Sequence, residues 1–234
     1  MKLNLLNLQV FIAHYPPLTK RKTYLEKALG KLGYDRVYFN EKFDYKEIDD
    51  KHYQLCTTST YRYVTSEGWL CGIEPMEFNI CRNPRYLANF FNHTDIWYKV
   101  ANGDDEYALV LEDDAVVTDD CKEILEKLSN DVPDDLDLAY LHAGCGLTCE
   151  SIGIVTDDNE YWYKINNCRS RTCCSYLLSK TAARKMLTQL FPIALPVDWE
   201  MIYIAGRHNL NVYWSSLLPF EEGSQSGVHN STFR

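Results

Sequence analysis

The chain has 234 residues, with 24 Lys plus Arg against 33 Asp plus Glu, a net charge of -9, and hydrophobic and charged fractions of 46% and 24%. These values exclude a disordered or collagen-like chain. The negative balance argues against a surface built to neutralise a phosphate backbone, so nucleic acid is not the expected partner. The length suits one ordinary domain over residues 1–234.

The opening stretch Met1 to Ala13 is apolar, but Asn4, Asn7 and Gln9 interrupt it and no small-residue cleavage site follows, so a buried strand is expected rather than a signal peptide. Within it, Leu8 to Ala13 reads as the first strand, closed by Tyr15-Pro16-Pro17. Thr19 is placed to cap a helix over Lys20–Leu32, with Gly33 at the left-handed position beyond its end. Asp35 to Phe39 reads as a second strand, and strand, helix, strand at this spacing is a βαβ unit. From Asn40 to Arg82 no period emerges. A helical pattern resumes from about Arg85 to Val100, and Tyr107 to Leu111 is the continuous apolar run of a central parallel strand. A helix near Cys121 to Leu128, strands at Leu138–His142, Ser175–Ser179 and Leu210–Trp214, and helices at Lys180–Gln189 and Trp199–Ala205 complete the alternation. The expected class is α/β, with a mainly parallel central sheet flanked by helices.

No run approaches the about 20 apolar residues of a membrane helix. Nine cysteines, an odd number without CxxC pairs, point to a reducing, cytoplasmic setting, and Cys145, Cys149, Cys173 and Cys174 lack zinc-site spacing. Asn92-His93-Thr94 and Asn230-Ser231-Thr232 match the glycosylation sequon, which has weight only on a secretory route. The aromatic count, 17 Tyr, 9 Phe and 5 Trp, supplies rings that bury large areas and also stack on sugars and bases.

The strongest chemical signal is Glu112-Asp113-Asp114 directly after the apolar run. In open α/β sheets ligands bind beyond the carboxyl ends of strands. Adjacent acids repel, and a cation or a proton offsets that repulsion. Hard oxygen donors with open positions suit Mn²⁺ or Mg²⁺ shared with a diphosphate. A solvated acidic turn is the plainer alternative. Sequences for a P-loop, a dinucleotide fold, a metalloprotease helix or a nucleophile elbow are absent.

The stretch Tyr107–Val117, YALVLEDDAVV, resembles the metal and nucleotide-sugar motif of glycosyltransferase family 25, which includes lipopolysaccharide glycosyltransferases and procollagen galactosyltransferases. Four further segments resemble family motifs in order. They are LANFFNHTDIW at Leu87–Trp97, with Asn92 where the family has Ser; LDLAYL at Leu136–Leu141; SYLLSKTAARKML at Ser175–Leu187, with Ala182 in place of Gly; and Pro196-Val197-Asp198. Pro219 to Gly227 is similar to a late family stretch, and Lys20-Arg21 agrees more weakly.

The resemblance implies a GT-A-like domain and inverting transfer of a hexose from a nucleotide sugar, UDP-linked, to a hydroxyl of a glycan or glycoprotein, with Mn²⁺ or Mg²⁺ as cofactor. On that basis Asp114 is expected to ligate the metal, with Glu112, Asp113 and His229 as further candidates. His14, Tyr15 and Arg21 are expected near the nucleotide. Asp198 is the expected general base and Glu200 the second candidate, because an acid already bound to a cation accepts protons poorly. His93 is expected to buttress the site from its helix. Acceptor-binding residues are not assigned. The competing readings are a metal-dependent nucleotidyltransferase or phosphohydrolase using the same acids, and a degenerate glycosyltransferase that only binds sugar.

Overall fold

A computed structural model describes residues 3–56, 83–144, 147, 155–156, 159–165 and 172–230. Its strands are β1 (Gln9–Ala13), β2 (Val37–Asn40), β3 (Tyr107–Glu112), β4 (Ala115–Val117), β5 (Leu138–Tyr140), β6 (Val155–Thr156), β7 (Trp162–Lys164), β8 (Ser175–Ser179), β9 (Val212–Ser215) and β10 (Phe220–Glu222). The helices are α1 (Thr19–Leu32), α2 (Asp50–Tyr53), α3 (Pro84–Asn102), α4 (Cys121–Asn130), α5 (Lys180–Leu187), α6 (Val197–Arg207) and α7 (Gly223–Ser226). Eight strands form the main sheet in the order β2-β1-β3-β8-β5-β9-β7-β6, and β10 pairs with β4 in a small second sheet.

The main sheet is mixed. β1 is parallel to β2 and β3, and β5 to β9, while β8 runs antiparallel between β3 and β5. β7 is likewise inverted against β9 and β6. Strands β1, β2, β3, β5, β6 and β9 therefore all point one way, and their carboxyl ends share one edge. This is the expected α/β sheet with helical cover, compatible with a GT-A-like domain.

Side-chain alternation builds the three layers. Phe11 and Ala13 of β1, Ala108 and Val110 of β3, and Tyr176 and Leu178 of β8 face a core completed by α3, α5 and α6. Val10, Ile12, Leu109, Leu111 and Leu177 face the opposite core, completed by Leu25 and Leu29 of α1 and by Ile124, Leu125 and Leu128 of α4. Each large side chain fully buried this way contributes about 1.5–3 kcal/mol.

Local chemistry sets the boundaries. α1 starts at Thr19 itself, with Leu18 as an N-cap that makes no side-chain bond, so Thr19 is not the cap; Gly33 does end the helix, at φ 94°. α3 is capped by Asn83, whose side chain accepts from the Arg85 N–H, and Pro84 fills a position that needs no donor. The predicted strand at Leu138–His142 stops at Tyr140. The β4–β10 pair and β7 went unread in the sequence because runs of three residues carry too little alternation. Cys145 and Cys149 lie outside the described residues.

Candidate active site

The register pairs Ala13 with Glu112, so the ends of β1 and β3 lie side by side. A cleft of about 280 Å³ opens there, lined by His14, Tyr15, Arg21 and the three acids on one side and by Phe43, Tyr45, Arg85, Ala88, Asn89 and Asn92 on the other.

The three acids have three different environments. Asp113 is turned into the protein: its Oδ2 accepts from the Tyr15 N–H at 2.9 Å and lies 2.9 Å from His14 Nδ1, and its Oδ1 accepts from Arg21 at 2.6 Å. Burial pushes its carboxyl up, but these partners together hold it below the usual range. Asp113 is thus a charged pin between β3 and α1.

Glu112 Oε1 accepts from Asn89 Nδ2 at 2.9 Å and lies 3.3 Å from His93 Nε2. Burial raises its pKa, yet His93 and Asn89 outweigh that and leave it lowered. The network extends inward. His93 Nδ1 lies 2.9 Å from the Tyr176 hydroxyl, which accepts from Trp97 Nε1 at 2.9 Å. An ionised carboxylate only accepts, so a proton on Nε2 of His93 faces it, and the Tyr176 hydroxyl meets the other ring nitrogen. α3, β3 and β8 meet in this one chain of bonds.

Asp114 is different again. It is 9% exposed, and its Oδ1 has no hydrogen-bond partner. Burial first, then the neighbouring Glu112, with Asp113 and Glu222 adding, pushes its pKa up to about 7 against the opposing Ser224 bond. A buried acid left short of donors beside other acids is a group that a cation would stabilise.

Two further buried atoms near it lack a hydrogen-bond partner, His14 Nε2 and His229 Nε2. The chain brings His229 there through backbone bonds from the Gly223 N–H to the Asp114 carbonyl and from the His229 N–H to the Gly223 carbonyl, both 2.9 Å. A Cβ on Gly223 would lie 2.6 Å from the Asp114 carbonyl oxygen and 2.6 Å from His229 Cδ2, so only glycine fits between them. The stretch from Gly223 to His229 is therefore docked on Asp114. Burial, and then Arg21, lowers the His229 pKa, which keeps a lone pair available.

Among the described residues, no three His, Cys, Asp or Glu side chains converge as a metal-holding group. Asp114 and His229 each offer one unpartnered donor atom, on segments that meet at Gly223. That fits a divalent cation completed by oxygens of a diphosphate rather than an all-protein cage.

Residues 87–201 match the model for glycosyltransferase family 25, described as an LPS biosynthesis protein. From α3 to the start of α6 the chain is thus similar to glycosyltransferase family 25. It is a glycosyltransferase, and so works on a sugar donor and an acceptor. A comparison with curated proteins gives no match. The matched span holds the α3–β3–β8 network, the three acids and the start of α6; His14, Tyr15, Arg21 and His229 lie outside it.

Within this family 25 frame, α6 begins at Val197 with Pro196 as its N-cap, so Asp198 sits inside the first turn and is not the capping residue. Asp198 is half-buried. Burial, then the charges of Glu112 and Asp198, raises the pKa of the Cys173 thiol, so Asp198 lies within electrostatic reach of Cys173, outside the lining of the cleft itself.

Glu200 faces elsewhere. It is 1% exposed, and its Oε2 accepts from the Leu195 N–H at 3.0 Å and the Ala194 N–H at 3.4 Å, tying down the segment before α6. Burial pushes its carboxyl up to about 8 against those two bonds. In the unfolded chain it titrates near 4.5, so the folded state holds the extra proton and stability falls as pH rises from about 4.5 to about 8. Glu200→Gln keeps an acceptor for Leu195 and removes the buried charge. Denaturation midpoints should therefore match wild type near pH 4 and exceed it at pH 8, by a few kcal/mol at most. Asp114, raised for similar reasons, leaves both proteins a shared residual slope, so the difference between them is the quantity to measure.

Arg21, expected at the nucleotide, is spent on Asp113 and on the Asn230 carbonyl. His14 is 2% exposed. Tyr15 keeps its ring on the cleft. Asn92, the departure from the family Ser, is 6% exposed and bonds the backbone of Phe43 in both directions, which also removes it as a glycan acceptor in the folded protein.

The sequence missed Glu222. Its carboxylate accepts from Thr172, Ser224 and Gln225, and Thr172, at φ 68°, links it to His142 Nε2 at 2.8 Å. The family-like stretch from Pro219 was the signal that could have found it.

Proposed function

We propose that the chain transfers a hexose from a UDP-linked sugar to a hydroxyl of a glycan or glycoprotein acceptor, with inversion, using Mn²⁺ or Mg²⁺. The observation that supports this reading is that two buried atoms without hydrogen-bond partners, Asp114 Oδ1 and His229 Nε2, lie on segments that meet at Gly223. Asp114 and His229 would hold the cation, with Glu112 fixed beside them by His93 and Asn89. A bound cation would supply charge neutralisation for the departing diphosphate. Asp113 orients the β1–α1 corner through His14, Tyr15 and Arg21. Asp198 accepts the proton of the acceptor hydroxyl, which single displacement requires from a carboxylate outside the metal set. A reducing compartment belongs to the same reading, since Cys56, Cys121, Cys173 and Cys174 are free thiols.

Thermal shift measures this directly. UDP with Mn²⁺ should raise the midpoint of the full chain, with far smaller shifts from UDP in chelator or from Mn²⁺ alone. Absence of any nucleotide effect would favour the sugar-binding alternative.

A further inference from the structure

Besides the acids, the cleft is lined by Tyr15, Phe43, Tyr45 and Arg85. His14 Nδ1 and the Arg21 guanidinium are committed to Asp113 and Asn230, and the His14 ring, whose Nε2 is unpartnered, is sealed from solvent, so recognition of a nucleoside falls to other groups. The Tyr15 and Tyr45 rings lie 5.3 Å apart at 49°, and the Arg85 guanidinium lies 5.0 Å from the Tyr45 ring centroid.

This wall is built in place. Tyr45 opens a 3-10 turn (Tyr45–Glu47) whose capping residue Asp44 accepts from the Lys46 N–H. Phe43 is fixed by Asn92, whose Nδ2 donates to its carbonyl at 2.9 Å and whose Oδ1 accepts from its N–H at 3.1 Å. The Phe43 ring packs on Phe91 at 5.3 Å.

We propose that the Tyr15–Tyr45 ring pair and Arg85 form the nucleobase site of the donor, with the base stacked along the rings and the guanidinium donating to its carbonyl oxygens. The proposal rests on the nucleotide-sugar reading above and extends it from Tyr15 to Tyr45 and Arg85, which the sequence left unread. An acceptor sugar would need amides or carboxylates around its hydroxyls. Here the nearby amides are already used, Asn89 on Glu112 and Asn92 on Phe43, and of the acids that line the cleft Glu112 and Asp113 are bonded to side chains of the protein. Ring faces and a planar donor fork suit a flat heterocycle carrying carbonyls.

Titration calorimetry on the full chain with Mn²⁺, using UDP and inorganic pyrophosphate as probes, tests this. Tyr45→Ala and Arg85→Gln should each weaken UDP by about tenfold or more while pyrophosphate changes by less than about twofold; Tyr45→Phe, which keeps the stacking face, should stay within about threefold for UDP. UDP affinity unchanged in Tyr45→Ala and Arg85→Gln overturns the proposal, and a raised acceptor KM beside that result assigns the wall to the acceptor. Equal losses for UDP and pyrophosphate also overturn it, since the residues would then serve the diphosphate or the fold. A wild-type chain that binds neither probe instead removes the nucleotide-sugar reading and this proposal with it.

Discussion

Asp114→Asn is expected to weaken Mn²⁺-dependent UDP binding by more than about 100-fold, since even residues that only orient metal ligands contribute 10- to 100-fold to metal affinity. The same variant should fold at least as well as wild type in the absence of metal. Asp114 is buried beside Glu112, Asp113 and Glu222, and that environment raises its pKa to about 7 because the charged form is disfavoured. An amide of the same shape removes this repulsion and can still accept from Ser224. The expected signature is therefore a midpoint that is unchanged or higher in chelator at pH 8, together with loss of the shift produced by UDP and Mn²⁺. A purely structural carboxylate would give the opposite pair, a lower midpoint with ligand shifts preserved. Unaltered UDP affinity in this variant would remove Asp114 from the donor set.

The sequence made the strands of the central sheet legible for one reason: β1, β3 and β8 are buried on both faces, and such strands read as continuous apolar runs. Strand direction was not legible. Ser175–Ser179 carries the same apolar pattern whether it runs with β3 or against it, and only the pairing with Tyr107–Leu111 shows that it runs against. The acid cluster was legible as a cluster, while the division of labour within it was not. Asp113 finds its partners 92 to 99 positions away in sequence, at Arg21, Tyr15 and His14, a separation that no local pattern encodes. The same limit hid the bonds of Arg21 to Asp113 and Asn230. His93 was legible because its helix is strongly patterned, and its expected supporting role is the one its bonds to Glu112 and Tyr176 describe. Phe43 and Tyr45 were illegible because their segment is a short turn with no period, held from outside by Asn92. At that position the chain departs from the family's Ser, and the amide does what a hydroxyl could not: it donates to and accepts from the same residue's backbone through two separate atoms.

Asp198→Asn is expected to cut transfer by about 10²-fold or more, the usual scale for losing a general base, while leaving donor affinity within about twofold. The two carboxylates of the first turn of α6 give this prediction its internal control. Asp198 is half-buried and its charge acts on Cys173 together with that of Glu112, whereas Glu200 is sealed in the core with its oxygen on the Leu195 and Ala194 N–H groups. A base must reach the acceptor hydroxyl and must be ionised before it can take the proton. Glu200, held up to about 8 by burial, meets neither condition near neutral pH. Glu200→Gln should therefore keep most of its turnover and show its effect in the pH dependence of stability. Asp198→Asn should keep stability and lose kcat with donor Kd unchanged. Measuring kcat, donor Kd and denaturation midpoint on both variants separates the roles. Near-normal kcat in Asp198→Asn beside a dead but folded Glu200→Gln would transfer the proton acceptor to Glu200, and would require the segment 194–196 to move aside and expose it during turnover.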